Sequence, residues 1–385
     1  MSDAYIVQAL RTAGGKRNGK LASWHPADMA GEILNALVDR SGIDPAAIED
    51  VILGCVSQVG EQSFHIARNA VLTSRLPDSV PAVTIDRQCG SSQQALQFAA
   101  QAVMSGTQDM VIAAGVESMT RVPMGSPVSL AQKAGLGSPW SERIRRRYGV
   151  DEFSQFTGAQ MVAEKYQFTR RQLDEFALLS HQRAAAATLA GAFKKEIVPL
   201  QVADGWHDTD EGIRYDANLE SIGAVKLLKE GGVLSAANAS QMCDGASGVL
   251  VVNERALKTH NLEPLARIHN LTVTGGDPVI MLEEPIPGTR KALQKSGLSI
   301  DDIDLYEVNE AFAPIPLAWL QAVGANPDKL NVNGGAIALG HPLGASGCKL
   351  MATLLNALIA RGKRYGLQAM CEGGGLANVT IVEVL

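Results

Sequence analysis

Two stretches of this chain, far apart in sequence, follow one plan, and that plan constrains the fold more than any other feature. In the first, turn-prone Asp86-Arg87-Gln88-Cys89-Gly90-Ser91-Ser92 opens a helix whose apolar positions Ala95, Leu96, Ala99, Ala102 and Val103 recur as one buried face. Gly106 stops that helix, and the strand Met110 to Ala114 ends in Gly115. In the second, Asn333 to Gly347, with His341 at its centre, leads into an amphipathic helix over roughly Cys348 to Ala360. Gly362 follows, and a strand at Leu367 to Met370 ends in Cys371. Duplicated α/β halves place the Cys89 and His341 turns in equivalent positions about a pseudo-two-fold axis, which brings distant residues together.

The rest of the chain fits such halves. Ala4 to Ala9 reads as a first strand, Pro26 opens a helix that ends near Gly42, and Val51 to Val56 is an unbroken apolar run. Ser63 to Ser74 reads as a helix carrying His65. Leu265 to Val273 and Asp304 to Val308 are further strands. Strands alternating with helices predict a parallel, doubly wound α/β sheet. From Ser118 to about Asp244 the texture changes to Met, Gln, Arg and Gly, with helices at Gly158 to Tyr166 and, capped by Thr169, Arg170 to Ala190. That segment reads as an insertion covering a site. Its basic cluster, Arg143 to Arg147, reads as a solvated helix face.

At 385 residues the chain exceeds what one hydrophobic core supports. A net charge of −6 argues against general nucleic-acid binding. No run approaches the ~20 apolar residues of a membrane helix, and the N-terminus lacks a signal pattern, so a cytoplasmic location is expected. Five scattered cysteines without a Cys-x-x-Cys pair predict free thiols rather than disulfides or zinc.

The chemistry then turns on three residues beside Gly-rich backbone: Cys89, His341 and Cys371. A thiol at a helix N-terminus feels partial positive charge, which lowers its pKa and favours thiolate. Spacing alone leaves Cys89 open between a buried core thiol and a nucleophile. A cysteine and a histidine suffice for an activated thiol nucleophile; taken alone, Cys371 stays open between an inert thiol ending a core strand and an acid/base, and His341 between a structural histidine and a base. The chain lacks a Gly-x-Gly-x-x-Gly after its first strand and a Gly-Lys-Ser/Thr loop, which disfavours NAD and ATP chemistry.

The Cys89 segment, Asn309-Glu310-Ala311-Phe312, Gly340-His341-Pro342-Leu343-Gly344 and Cys371-Glu372-Gly373-Gly374-Gly375 together resemble, in order and spacing, the four active-site blocks of thiolases. The resemblance spans the chain. It implies the thiolase fold, an α/β protein with a duplicated five-layered α-β-α-β-α core. Residues 1–117 would form the N-terminal half, completed by about 246–265. Residues 118–245 would form a loop domain that covers the site and binds coenzyme A (CoA), and 266–385 the C-terminal half. It further implies Cys89 as the nucleophile that carries the acyl group and His341 as the acceptor of its proton. Asn309 would fix a water in one oxyanion hole, with His341 also polarising the thioester there. The N–H groups of Cys89 and Gly373 would form the other. Cys371 would exchange a proton with the acyl-CoA enolate. Arg214 and Ser240 match segments that meet the CoA nucleotide and pantetheine. CoA is then a substrate, and neither metal nor redox cofactor is expected.

Acetoacetyl-CoA-forming members carry a His-Met pair where this chain has Phe156-Thr157-Gly158. The resemblance therefore favours a bacterial degradative type, some of which act on steroid-derived chains, over a biosynthetic one. A ketoacyl synthase would lack Cys371, and a silent acyl-CoA carrier would have lost one of the three reactive residues. A homodimer or homotetramer is expected of the family. Cys243 reads as a bystander thiol.

Overall fold

The computed structural model describes residues 3–385. Nine principal strands are β1 (Tyr5–Thr12), β2 (Asp50–Gly54), β3 (Ala82–Ile85), β4 (Met110–Ser118), β5 (Cys243–Val252), β6 (Ala266–Gly275), β7 (Leu305–Val308), β8 (Tyr365–Glu372) and β9 (Leu376–Val384). They hydrogen-bond in the order β7-β8-β9-β6-β1-β5-β4-β2-β3.

That order contains the duplication. The first half runs 3-2-4-5-1 in its own strand numbering. The second runs 2-4-5-1, and its missing third strand survives as the single parallel bridge Tyr306↔Leu330. Parallel and antiparallel pairings agree in the two halves: β2 with β4 and β7 with β8 are parallel, while β4–β5, β8–β9, β5–β1 and β9–β6 are antiparallel. The sheet is therefore mixed rather than all parallel. The connection from β4 to β5 is the long insertion, so no crossover helix forces the two strands to run the same way.

The halves meet at one edge through Tyr5↔Arg267 and Ile6↔Ala266, so the strands form one continuous sheet that is covered in separate layers. Helices Pro26–Ser41 and Ile66–Thr73 pack on one outer face, with Ile33, Leu34, Leu37, Ile66 and Val71 in that core. Helices Pro285–Ser296 and Pro314–Val323 cover the other outer face around Ile286, Ile315 and Trp319. Between the half-sheets lie Ser91–Ser105 and Ser346–Ala360, whose core joins Ala95, Leu96, Ala99, Met351 and Leu355 to strand residues of both halves. Five layers result. Small residues let the two middle helices approach closely: a Cβ on Gly347 would stand 2.1 Å from the Gln93 nitrogen. Their N-termini therefore converge, and the Cys89 and His341 turns with them.

Several boundaries shift. The helix expected from Ser63 begins only at Ile66, preceded by a 3₁₀ turn at Gly60–Gln62, because Phe64 and His65 take positive φ of 52° and 62°. His65 is thus a capping residue outside the helix. Cys371 lies within β8 rather than after it. One segment, Leu343–Ala360, has the length and apolarity to span a bilayer; it is 83% buried and forms the middle layer, which is why it is apolar all round.

The insertion holds helices Gln155–Lys165 and Arg170–Leu189, the latter closed by a Thr169/Gln172 capping box. Ala159, Val162, Leu173 and Phe176 share the core of the second half. The short helix Glu142–Tyr148 exposes its arginines to solvent, with Arg146 paired to Glu142 one turn back, as a solvated face would.

Candidate active site

The Cys89 turn is a strained elbow. Gln88 adopts φ +48°, unusual for a residue with a Cβ, and local side chains hold it there. The Asp86 carboxylate accepts from the Gln88 N–H at 2.7 Å, and Ser91 Oγ accepts from Arg87 N–H at 2.9 Å while donating to the Gln88 carbonyl at 2.6 Å. Cys89 stands one residue ahead of the helix N-cap, Gly90. It packs among Met119, Leu343, Leu350 and Met370.

The expectation of a resting thiolate fails here. Burial, reinforced by the facing Glu372 carboxyl, pushes the Cys89 thiol up to about 12. A thiol without water loses more from ionising than a helix terminus one residue away returns. Resting Cys89 is protonated.

The second turn carries His341, buried on Gly340 at φ +81°. Its Nδ1 lies 2.5 Å from Ser346 Oγ, and Ser346 donates its one hydrogen to the Pro342 carbonyl at 2.9 Å. Nδ1 must therefore be the donor, which leaves the Nε2 lone pair free to accept. Asn309 Nδ2 lies 3.4 Å from that Nε2. Burial, with the charge of Lys349, drops the His341 pKa to about 3, so the ring rests neutral. Asn309 follows β7 directly, its N–H donating to the Ala369 carbonyl at 3.0 Å.

Cys371 joins the group from β8. Burial holds its thiol well above the ordinary range, with ionised Cys89 and Glu372 acting in the same direction. Gly373 abuts the elbow: a Cβ there would stand 3.0 Å from Gln88 Oε1. Cys89, Asn309, His341, Cys371 and Gly373 thus come from four segments of the chain that converge: Asn309 meets His341, Leu343 of the histidine turn packs with Cys89, and Gly373 abuts Gln88.

A cavity of about 420 Å³ reaches His341. Arg214, Ser240 and His341 line this cavity, together with Lys16, Arg17, Met119, Met124, Phe156, Met242 and Phe312. Cys89 lies behind Met119 and Leu343, which line the cavity and pack on the thiol. Phe156 meets Phe312 edge-on with ring centroids 5.5 Å apart. The Ser240 N–H donates to the Ala311 carbonyl at 2.9 Å, and the Arg214 N–H donates to His181 Nδ1 at 3.2 Å.

Three supporting residues escaped sequence reading. Ser346 sets the His341 tautomer, and its only sequence signal is its place five residues downstream. Buried Glu117 accepts from the N–H groups of Val56, Ser57 and Gly344, tying the His341 turn to the first half. His181 lies on the long insertion helix, facing the Arg214 segment. Cys243 proves to be a crowding thiol: a Cβ on Gly340 would stand 2.6 Å from its sulfur.

A protonated thiol, a neutral imidazole, an amide and a second thiol stand beside an apolar cavity that Lys16, Arg17 and Arg214 also line, a set with the chemistry for nucleophilic acyl transfer. Comparison with known proteins specifies the family. The model described as "Thiolase, N-terminal domain" matches residues 4–255, and "Thiolase, C-terminal domain" matches 262–384. Over its whole length the chain is 52% identical to a steroid 3-ketoacyl-CoA thiolase of Mycobacterium tuberculosis, covering 95% of that protein. It is 41% identical to a 3-ketoacyl-CoA thiolase of Serratia proteamaculans, each chain covered completely. The crystal structure of the Bacillus anthracis acetyl-CoA acetyltransferase superposes with a TM-score of 0.91 at 33% identity, covering 100% of this chain and 99% of that one. The chain belongs to the thiolase family and is an acyltransferase.

Proposed function

We propose that this thiolase works in the degradative direction, cleaving 3-oxoacyl-CoA with CoA to give acetyl-CoA (or propionyl-CoA from α-methylated substrates) and a shortened acyl-CoA. The observation that carries the reading is the apolar cavity lined by Arg214, Ser240 and His341. Its wall is Phe156, not the His-Met pair of acetoacetyl-CoA-forming members. Such a wall suits a bulky acyl chain, and the 52% identity to a steroid 3-ketoacyl-CoA thiolase supports a ring-bearing one.

In this reading Cys89 Sγ attacks the 3-oxo carbon as its proton passes to His341 Nε2. Because the resting pair is neutral, transfer accompanies C–S bond formation. The C2–C3 bond then breaks, and its electron pair, as the acetyl-CoA enolate, takes the Cys371 proton. CoA attacks the acyl-Cys89 thioester and gives its thiol proton to Cys371. Cys89 leaves and recovers its proton from His341. The N–H groups of Cys89 and Gly373 hold the oxyanion at the acyl carbon, while His341 and an Asn309-bound water hold the thioester oxygen. Each preorganised donor of this kind typically contributes about 3–4 kcal/mol. The cycle balances without a metal or redox cofactor. Arg214, which lines the cavity as Lys16 and Arg17 do, meets the CoA phosphates, and Ser240 the pantetheine.

The reading includes a homo-oligomer, supported by the unpaired edge of β3 with Val83 exposed. It also includes a reducing, cytoplasmic setting, supported by five free buried thiols.

The test is a thiolysis assay across short, long and ring-bearing 3-oxoacyl-CoA, with mass spectrometry of acyl-Cys89. Turnover should be highest on bulky chains. Condensation of acetyl-CoA faster than any thiolysis would favour the biosynthetic alternative, which the acetyl-CoA acetyltransferase likeness keeps in view. Absence of both activities, with unmodified Cys89, would sink the reading.

A further inference from the structure

Lys349 is a buried lysine in the opening turn of the middle helix Ser346–Ala360. A cation there opposes the helix dipole and loses hydration, so its retention calls for compensation. Its Nζ donates to the carbonyls of Leu339 at 2.5 Å and Gly340 at 3.1 Å, the two residues ahead of His341. On its other side stands Asp210 at 4.0 Å. Asp210 also accepts from the Arg11 guanidinium at 2.8 and 3.0 Å and from the Gly14 N–H at 2.7 Å. Arg11 in turn donates to Glu196 at 2.6 Å. These four charged residues draw on both halves and the insertion, and none is needed for the acyl-transfer steps themselves.

We propose that Lys349 is a positioning residue for the base. By clamping the Leu339 and Gly340 carbonyls it aims the His341 ring, and through Asp210 it ties that aim to the Asp210–Arg214 segment at the CoA mouth. The arrangement explains why Gly340 is held at φ +81° against the Cys243 sulfur. Lys349 is also the charged group that acts on His341, helping to keep the ring neutral. Lys349 itself is faced by Cys243, Asp210, Arg11 and Glu196.

The inference rests on His341 serving as the base, as proposed above. Lys349→Met alone leaves the buried acids in excess, so the decisive protein is the charge-balanced double variant Lys349→Met/Asp210→Asn, with its fold checked by thermal melting. For the folded double variant, kcat/KM in thiolysis should fall about 10- to 100-fold, as a misaimed group does. The acid limb of its pH profile should move to higher pH. Lys349→Arg, which keeps the charge, should leave that limb in place. A limb and rate unchanged in the double variant, or a limb displaced equally by Lys349→Arg, overturns the proposal. His341→Ala run alongside separates the premise: full activity there would remove the base assignment and this proposal together. Its inactivity with an unaffected double variant would remove this proposal alone.

Discussion

The Cys89 and His341 turns occupy equivalent places in the two halves, each opening a 15-residue helix of the middle layer, yet they are built oppositely. The cysteine turn bends at Gln88, held in a disfavoured conformation by Asp86 and Ser91, and is faced by carboxyls: Glu372, Glu117 and Asp86. The histidine turn bends at Gly340 and is faced by a cation, Lys349. Burial is the main cause of both shifts, raising the pKa of the acid and lowering that of the base; the carboxyls around Cys89 and the ammonium near His341 act in the same directions. The frame is symmetric, while the charges around its two turns are opposite.

The largest break comes from the cysteine side. Cys89→Ala should lower thiolysis by at least about 10⁴-fold, as loss of a nucleophile does, with no acylated protein in mass spectra. Cys371→Ala should lower carbon–carbon cleavage by about 10²- to 10⁴-fold while leaving acylation of Cys89 by a simple acyl-CoA detectable. Because CoA thiolate is a much weaker base than an enolate, acylation should fall less than cleavage; an unchanged cleavage rate would deny Cys371 its role as proton carrier.

On the histidine side, Asn309→Ala should cost about 10²- to 10³-fold in kcat, the usual loss for one oxyanion-hole donor, with the melting temperature little changed. Gly340→Ala should destabilise by about 1–3 kcal/mol, since alanine disfavours φ +81° and its Cβ meets Cys243. Cys243→Ala should recover part of that loss in thermal melts; no recovery would put the whole cost on the backbone.

The smallest effect concerns acid. His341 is held neutral in the fold, with its pKa down to about 3, so below pH 6.5 the unfolded chain binds a proton that the native one refuses. Stability is therefore present above the unfolded pKa and lost as pH falls. The loss reaches about 1.4 kcal/mol per pH unit for this residue between pH 6 and 4. Comparing melts of wild type and His341→Asn across that range checks the sign.

The reading of Cys89 shows where sequence reasoning stops. Its place at a strand-to-helix turn was legible from periodicity, but its ionisation was not. Burial by the tertiary fold raises its pKa, and the carboxyl that reinforces the shift, Glu372, comes from the other half of the chain. Ser346 and Lys349 were equally invisible as functional residues: one reads as a helix-start serine, the other as an ordinary helix lysine. Only packing against the Gly340–Pro342 turn gives them work. The sheet's mixed character was missed because an apolar run carries no direction.

Local pattern by itself determined the alternation of strands and helices, the repeated turn-helix-strand unit and the four blocks bearing Cys89, Asn309, His341 and Cys371. These rest on interactions within a few residues, which spacing encodes. Tertiary structure alone decided that both middle helices begin at one point, that Ser346 frees the His341 lone pair, and that thiol and imidazole rest uncharged. Those outcomes depend on burial and on charges from distant segments, and no local pattern carries either.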